Sequence, residues 1–209
     1  MAKIMIRSVT VSECYTNCYI CMNKDTKEGF IVDPGDDELK ISVNVSRLEM
    51  IPKAILLTHG HFDHIGAVNK LKERYNIPVI VGAKEEKVLT DSRMNLSSMF
   101  GEPVKVNGDR FLEDGENFQV AGFDIQYILT PGHTPGSGCF YIEEEQVLFS
   151  GDTLFQASRG RTDFPGGSES DIIKSIKNKL LVLPGETEVY PGHDASTTIG
   201  YEKRYNPFV

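Results

Sequence analysis

Three histidines and an aspartate crowd six consecutive positions, His59-Gly60-His61-Phe62-Asp63-His64. The other two histidines stand apart, His133 in Thr130-Pro131-Gly132-His133-Thr134-Pro135-Gly136 and His193 in Tyr190-Pro191-Gly192-His193-Asp194. Asp152 holds a comparable place in Ser150-Gly151-Asp152-Thr153. A single histidine at a strand end is ordinarily hydrogen-bonded or solvent-facing. None of the five is left over for that role here, and three in one turn could not all carry protons without strong repulsion. A cation that binds each imidazole neutral explains the crowding. Zinc, iron and manganese all accept such nitrogen and oxygen donors, so the set does not choose among them.

Each of these segments follows an apolar, strand-like run: Ala54 to Thr58, Phe123 to Leu129, Val147 to Phe149, and Glu188 to Tyr190. Earlier strands are expected at Ile4 to Val9, Asn17 to Met22 and Gly29 to Asp33, the last closed by the turn Asp33-Pro34-Gly35. Ile41, Val45 and Leu48 recur at helical spacing with Asp36 or Asp37 as the cap, and Ile65, Val68, Leu71 and Tyr75 form one helical face. Pro78 to Val81 reads as a strand, and the stretch from Ala83 to about Gly101 as a helix followed by a surface loop. Phe140 and Ile142, then Val147 and Phe149, predict a hairpin turning at Glu143 to Gln146. Ser168 and Asp171 start a helix marked by Ile172, Ile176 and Leu180 and stopped by Pro184-Gly185. Both halves run from strands into helices. That order suits two packed sheets with helices outside, in one domain over residues 1–209.

Composition narrows the class. Of 209 residues, 40% are hydrophobic and 25% charged, as in an ordinary globular chain. Thirty acidic against twenty-two basic residues give a net charge of -8, which argues against nucleic acid as a partner because that binding needs cationic neutralisation. Apolar runs reach only about four residues where a membrane span needs roughly 20, and the N-terminal stretch lacks the apolar core of a secretory signal. Four cysteines, Cys14, Cys18, Cys21 and Cys139, are too few and uneven for a disulfide scaffold. Reduced thiols and a cytoplasmic location are the expectation. The C-x3-C-x2-C spacing of Cys14, Cys18 and Cys21 is shared with iron–sulfur sites. A strand through Cys18 to Met22 would instead turn Cys18 and Cys21 to opposite faces, where no cluster could use both.

Taken together, His-x-His-x-Asp-His followed by His133, Asp152 and His193 resembles the metallo-β-lactamase superfamily. That family's fold is an α+β, αβ/βα four-layer sandwich: two packed mixed β-sheets with helices outside and a metal site at one edge. Thr130 to Gly136, Gly151-Asp152-Thr153-Leu154-Phe155 and Tyr190 to His193 are most similar to glyoxalase II (hydroxyacylglutathione hydrolase) and its short bacterial relatives. Asp152 departs from the lactamases with a Cys ligand, and His61 from the flavodiiron oxygen reductases. Ribonuclease-like members share the ligands but not the acidic composition. The resemblance implies two divalent metal ions, zinc by preference, with iron or manganese as alternatives. His59, His61 and His133 would hold the first; Asp63, His64 and His193 the second; Asp152 and a water would bridge them.

The expected reaction is hydrolysis of a small-molecule thioester of the hydroxyacylglutathione (S-lactoylglutathione) type. A metal-bridging hydroxide would attack the carbonyl, with Asp63 orienting it and taking its remaining proton. A thiolate leaves without a dedicated acid, since its parent pKa is about 8.5. Arg161, in Ser158-Arg159-Gly160-Arg161, matches a basic glyoxalase II residue that contacts a glutathione carboxylate; the other reading is an ion pair with Asp163 or Glu169. The C-terminal helical glutathione-binding domain of full-length glyoxalase II is not expected here, which leaves the thiol carrier open. The segment Thr198 to Phe208 is expected to be structural, its aromatics covering the core and a Pro ending the last helix. The rival reading is a persulfide dioxygenase, whose Gly160-Arg161-Thr162-Asp163-Phe164 segment is equally similar and which would use one iron on His59, His133 and Asp152. A non-catalytic metal-binding protein is the third reading.

Overall fold

Residue alternation decides the first sheet. Strand β1 (Ile4–Val11) pairs antiparallel with β2 (Thr16–Asn23). In β2, Cys18, Ile20 and Met22 enter one apolar layer while Tyr19 and Cys21 enter the opposite one, as the period of two requires. The two cysteines therefore cannot share a cluster. The computed structural model describes residues 3–209. β3 (Glu28–Val32), β4 (Ile51–Leu57), β5 (Val79–Gly82) and β6 (Arg110–Leu112) follow in sequential order, paired parallel from β3 onward. Pro52, which cannot donate to a ladder, lies in β4 beside the register shift between Gly29 and Phe30.

The second sheet holds β7 (Asn117–Val120), β8 (Phe123–Leu129), β9 (Gly138–Ile142) and β10 (Val147–Gly151) as an antiparallel meander. A ribbon of β11 (Leu154–Phe155) and β12 (Ser158–Arg159) follows. β13 (Glu188–Pro191) then joins β10 in parallel, and β14 (Thr197–Thr198) ends the sheet. The sheets face each other across Tyr19, Phe30 and Leu56 on one side and Phe123, Phe140 and Phe149 on the other. Phe30 meets the edge of Phe149 at 6.2 Å and 88°, a favoured aromatic geometry.

Helices close both outer faces. Ile41 and Val45 of α1 (Glu38–Arg47) and Val68 and Leu71 of α3 (Val68–Tyr75) cover the first sheet. Ile172 of α6 (Glu169–Ser175), Ile176 and Leu180 of the π-helical turn after it, and Ile199 of α7 (Ile199–Tyr205) cover the second. The αβ/βα sandwich is thus the fold, and the hairpin at Glu143 to Gln146 and the Ser168 cap are present.

Local details differ from the sequence reading. The face through Ile65 and Tyr75 is split into α2 (Phe62–Ile65) and α3, because Gly66 packs against the Gly35 carbonyl and Ala67 N donates to Pro34 O at 3.0 Å. Asp37 holds the N-cap position of α1 but its side chain caps nothing; its φ is 53°. The region from Ala83 to Gly101 contains two short helices, α4 (Glu86–Thr90) and α5 (Ser97–Phe100). The helix after Ser168 ends at Leu180, before Pro184. In the C-terminal segment Tyr201, Tyr205 and Phe208 are exposed. Ile199 does the apolar covering instead, and buried Glu202 anchors the helix by accepting from Thr197 Oγ1 at 2.6 Å and Ala157 N at 3.1 Å.

Candidate metal centre

The strand-to-loop junctions converge at one edge of the sandwich. β4 delivers His59 and His61 and the short α2 delivers Asp63 and His64; β8, β10 and β13 are followed by His133, Asp152 and His193. One ligand atom each from His59, His61 and His133 lies within 4.8 Å of the others, and the same holds for Asp63, His64 and His193. Asp152 faces both groups. Its Oδ1 is 3.5 Å from His64 Nε2, and its Oδ2 is 3.5 Å from both His133 Nε2 and His193 Nε2. Asp63 Oδ2 lies 3.3 Å from His193 Nε2 and accepts from Thr16 Oγ1 at 3.1 Å. All seven residues singled out in sequence are therefore together.

Backbone shape makes this approach possible. Gly151 has φ +49°, and a Cβ there would sit 2.2 Å from Thr58 Oγ1. Glycine lets the Asp152 loop cross directly over the start of the histidine loop. Thr130 and Thr153 hydroxyls, 2.8 Å apart, join the His133 and Asp152 loops.

Partners behind the rings decide which nitrogens face inward. His133 Nδ1–H donates to Arg161 O at 2.8 Å, and His64 Nδ1–H to Asp33 Oδ2 at 3.1 Å. Thr58 Oγ1 donates to Asp33 Oδ2 at 2.6 Å, so its oxygen accepts from His59 Nδ1–H at 3.2 Å. Nε2 of all three rings is thereby directed at the cluster, a typical outer shell of a metal site. His59 Nε2, His61 Nε2, His64 Nε2 and Asp152 Oδ1 are buried without hydrogen-bond partners, while His61 Nδ1–H can donate to His133 Nε2 at 2.9 Å. Buried ring nitrogens and a carboxylate oxygen left unmatched beside one another fit bound cations.

Asp33 was not singled out in sequence as a site residue; it reads there only as the start of a turn. It is 2% exposed, and its Oδ1 also accepts from Thr58 N at 2.8 Å. Although its carboxylate lies within 4.8 Å of His59 and His64 ligand atoms, its side-chain hydrogen bonds go to Thr58 and to His64 Nδ1, the arrangement of a group that orients ligands. The parallel register that sets Val32 beside Leu56 brings it there.

Burial and the two carboxylates divide the five imidazoles into two charge states. Burial, reinforced by neighbouring imidazoles, keeps His59 well below the ordinary histidine range and His61 down to about 3; burial likewise lowers His133. Burial opposes ionisation of Asp63 and Asp152, yet His64 and His193 outweigh it, holding Asp63 at about 2 and Asp152 well below its usual value. Burial also opposes charge on His64 and His193. The carboxylates win there too, raising His64 to about 9 and His193 to about 11.

The cluster opens into a cavity of about 490 Å³ lined by Phe155, Phe164, Arg159 and Arg161 among others. Arg161 pairs with Asp163 through Nε at 2.7 Å and Nη2 at 2.6 Å and stacks 4.0 Å from the Phe164 ring centroid. Glu169 pairs with Arg159 instead.

Paired nitrogen–oxygen ligand sets at one edge of a four-layer sandwich define a class of metal-dependent hydrolases. The model of the metallo-beta-lactamase superfamily matches residues 11–193, and the chain belongs to that family. It is 38% identical to "Hydroxyacylglutathione hydrolase GloC" of Haemophilus influenzae over 98% of this chain and 97% of that one. Among solved structures, the BLEG-1 B3 metallo-beta-lactamase has TM-score 0.93 and 42% identity, covering 98% of this chain and 99% of that one. TTHA1623 in a di-iron-bound form has TM-score 0.86 and 37% identity, covering 97% and 100%.

Proposed function

We propose that the chain is a dinuclear hydrolase of small-molecule thioesters of the hydroxyacylglutathione type. The carrying observation is the position of Asp152, whose two oxygens face His64 on one side and His133 and His193 on the other. His59, His61 and His133 would hold one ion and Asp63, His64 and His193 the other, with Asp152 shared. Two such ions supply Lewis acidity to the carbonyl and lower the pKa of water. The chain's residues do the rest. Asp63, ionised and reaching towards both His193 and Thr16 Oγ1, orients the attacking water and takes its proton. No spare acid is needed for a thiolate leaving group. Phe155 and Phe164 give the cavity an apolar wall, and Arg161 offers its guanidinium to a carboxylate of the thiol carrier in exchange for Asp163.

The hydrolase named at 38% identity supports a thioester, and the di-iron neighbour supports a pair of ions. The proposed ions are zinc, with iron or manganese accepted by the same donors. The four free cysteines support a reducing, cytoplasmic setting, and residues 1–209 are proposed to act as one domain. Elemental analysis with a substrate panel tests this. We expect two metals per chain, hydrolysis of S-lactoyl thioesters, and no oxygen uptake. One iron per chain with oxygen consumption on a glutathione persulfide would overturn it in favour of the dioxygenase, and turnover of β-lactams alone would move the substrate class.

A further inference from the structure

Behind the candidate centre, Glu85 is fully buried in the turn that follows β5. Its Oε1 accepts from Gly60 N at 3.3 Å and from Thr134 Oγ1, and the Gly136 backbone N–H also donates to the carboxylate. Gly60 stands between His59 and His61, and Thr134 follows His133. Packing here leaves no slack: a Cβ on Gly136 would come within 2.5 Å of Glu85 N. The second oxygen, Oε2, is buried with no partner. Among the described residues no basic side chain pairs with the group, and burial raises its pKa to about 7. A buried carboxyl that ties two loops but leaves one oxygen unmatched costs stability relative to an apolar filler.

We propose that Glu85 is a positioning residue for the first ligand set, joining the loop of His59 and His61 to the loop of His133. The second set lies outside its reach, since Asp63, His64 and His193 are held through Thr16, Asp33 and Asp152. The consequence is selective: losing Glu85 loosens one of the two sites. This rests on the two-ion reading given above.

The test equilibrates zinc-loaded protein against a graded series of a chromophoric chelator and follows zinc release, with circular dichroism as the check on folding. The wild-type chain should surrender two ions. Glu85→Ala should surrender one of them about 10–100-fold more readily, the usual effect of removing a partner behind a metal ligand. Glu85→Gln keeps an acceptor at the same place and should stay within about threefold of wild type. Should Glu85→Ala fail to fold, Thr134→Ala removes the hydroxyl link, together with its 2.7 Å bond to Ser137 Oγ, and should weaken the same site. Wild-type release by folded Glu85→Ala or Thr134→Ala overturns the proposal, as does equal weakening of both ions or equal loss in Glu85→Gln and Glu85→Ala. A wild-type chain that takes up no pair of ions overturns the two-ion reading and this inference with it; a wild-type pair with unaltered variants overturns the inference alone.

Discussion

Asp33 never touches the cavity, yet it sets two rings: His64 directly and His59 through Thr58 Oγ1. Asp33→Ala should weaken metal binding about 10–100-fold, measured by chelator competition; an unchanged affinity would show that the ring orientations are set elsewhere. Protons report on the same atoms. His64 and His193 are protonated near neutral pH without metal, at about 9 and about 11, and must lose that proton to become ligands. Metal uptake at pH 7 should therefore release about two protons per chain, which calorimetry in buffers of different ionisation enthalpy counts. Arg161 gives a third check. Arg161→Ala should raise KM several-fold for an anionic thiol carrier and leave kcat nearly unchanged, the mark of uniform binding; an equal loss in kcat would count against a carrier contact. The seven candidate ligands were legible in sequence because they fall in four glycine-marked turns, each after an apolar run. Asp33 and Glu85 were not. Their partners depend on strand register and on a buried helical face shared with Val88 and Leu89, neither of which a linear motif records.

Elements bring those side chains to one point by ending at the same edge. The strands were largely visible as apolar alternation, and their ends shifted by one to three residues, as with β1 running on to Val11 and β4 starting at Ile51. The α2–α3 break was hidden, because it depends on Gly66 meeting Gly35 across a distance in sequence. The C-terminal helix was misread because tyrosines suggested covering rings, while the anchoring falls to Glu202 and Ile199. At the end of β13, a Cβ on Gly192 would lie 2.2 Å from Asp152 Oδ1 and 2.7 Å from His64 Cε1. Gly192→Ala should therefore displace the shared carboxylate. We expect loss of bound metal with native far-ultraviolet circular dichroism; full metal occupancy would show that the loop can yield.

At the scale of the whole molecule, the aromatic layer between the sheets carries the fold. Phe149 is fully buried against Tyr19, Phe30 and Tyr190, and Phe149→Ala should cost about 3–5 kcal/mol by denaturant unfolding. The sandwich followed from element order together with the resemblance, since periodicity alone does not say which sheet edges pair. Titration sets a second, global property. The raised His64 and His193 contribute stability that is complete below about pH 6.5 and lost as pH rises through about 9 to about 11. The lowered His59, His61 and His133 remove stability as pH falls below about 6.5, and Asp63 does so as pH falls from its ordinary value of 3.8 through about 2. Glu85, raised from 4.5 to about 7, removes stability earlier, as pH rises from about 4.5 through about 7. Metal-stripped protein should thus have its highest Tm near about pH 6. Loaded protein should keep its Tm further into the alkaline range, where ions replace those protons. A stripped-protein Tm that climbs from pH 7 to 9 would contradict this.

Four of the seven candidate ligands precede residue 65 and three follow residue 132, with β13 supplying the last. During synthesis the early quartet must leave the ribosome long before its later companions exist. A nascent chain can offer a passing cation only an incomplete grip until His193 has emerged. The full set of candidate ligands therefore exists only once β13 has paired beside β10, so a cation meets the complete site on an assembled sandwich.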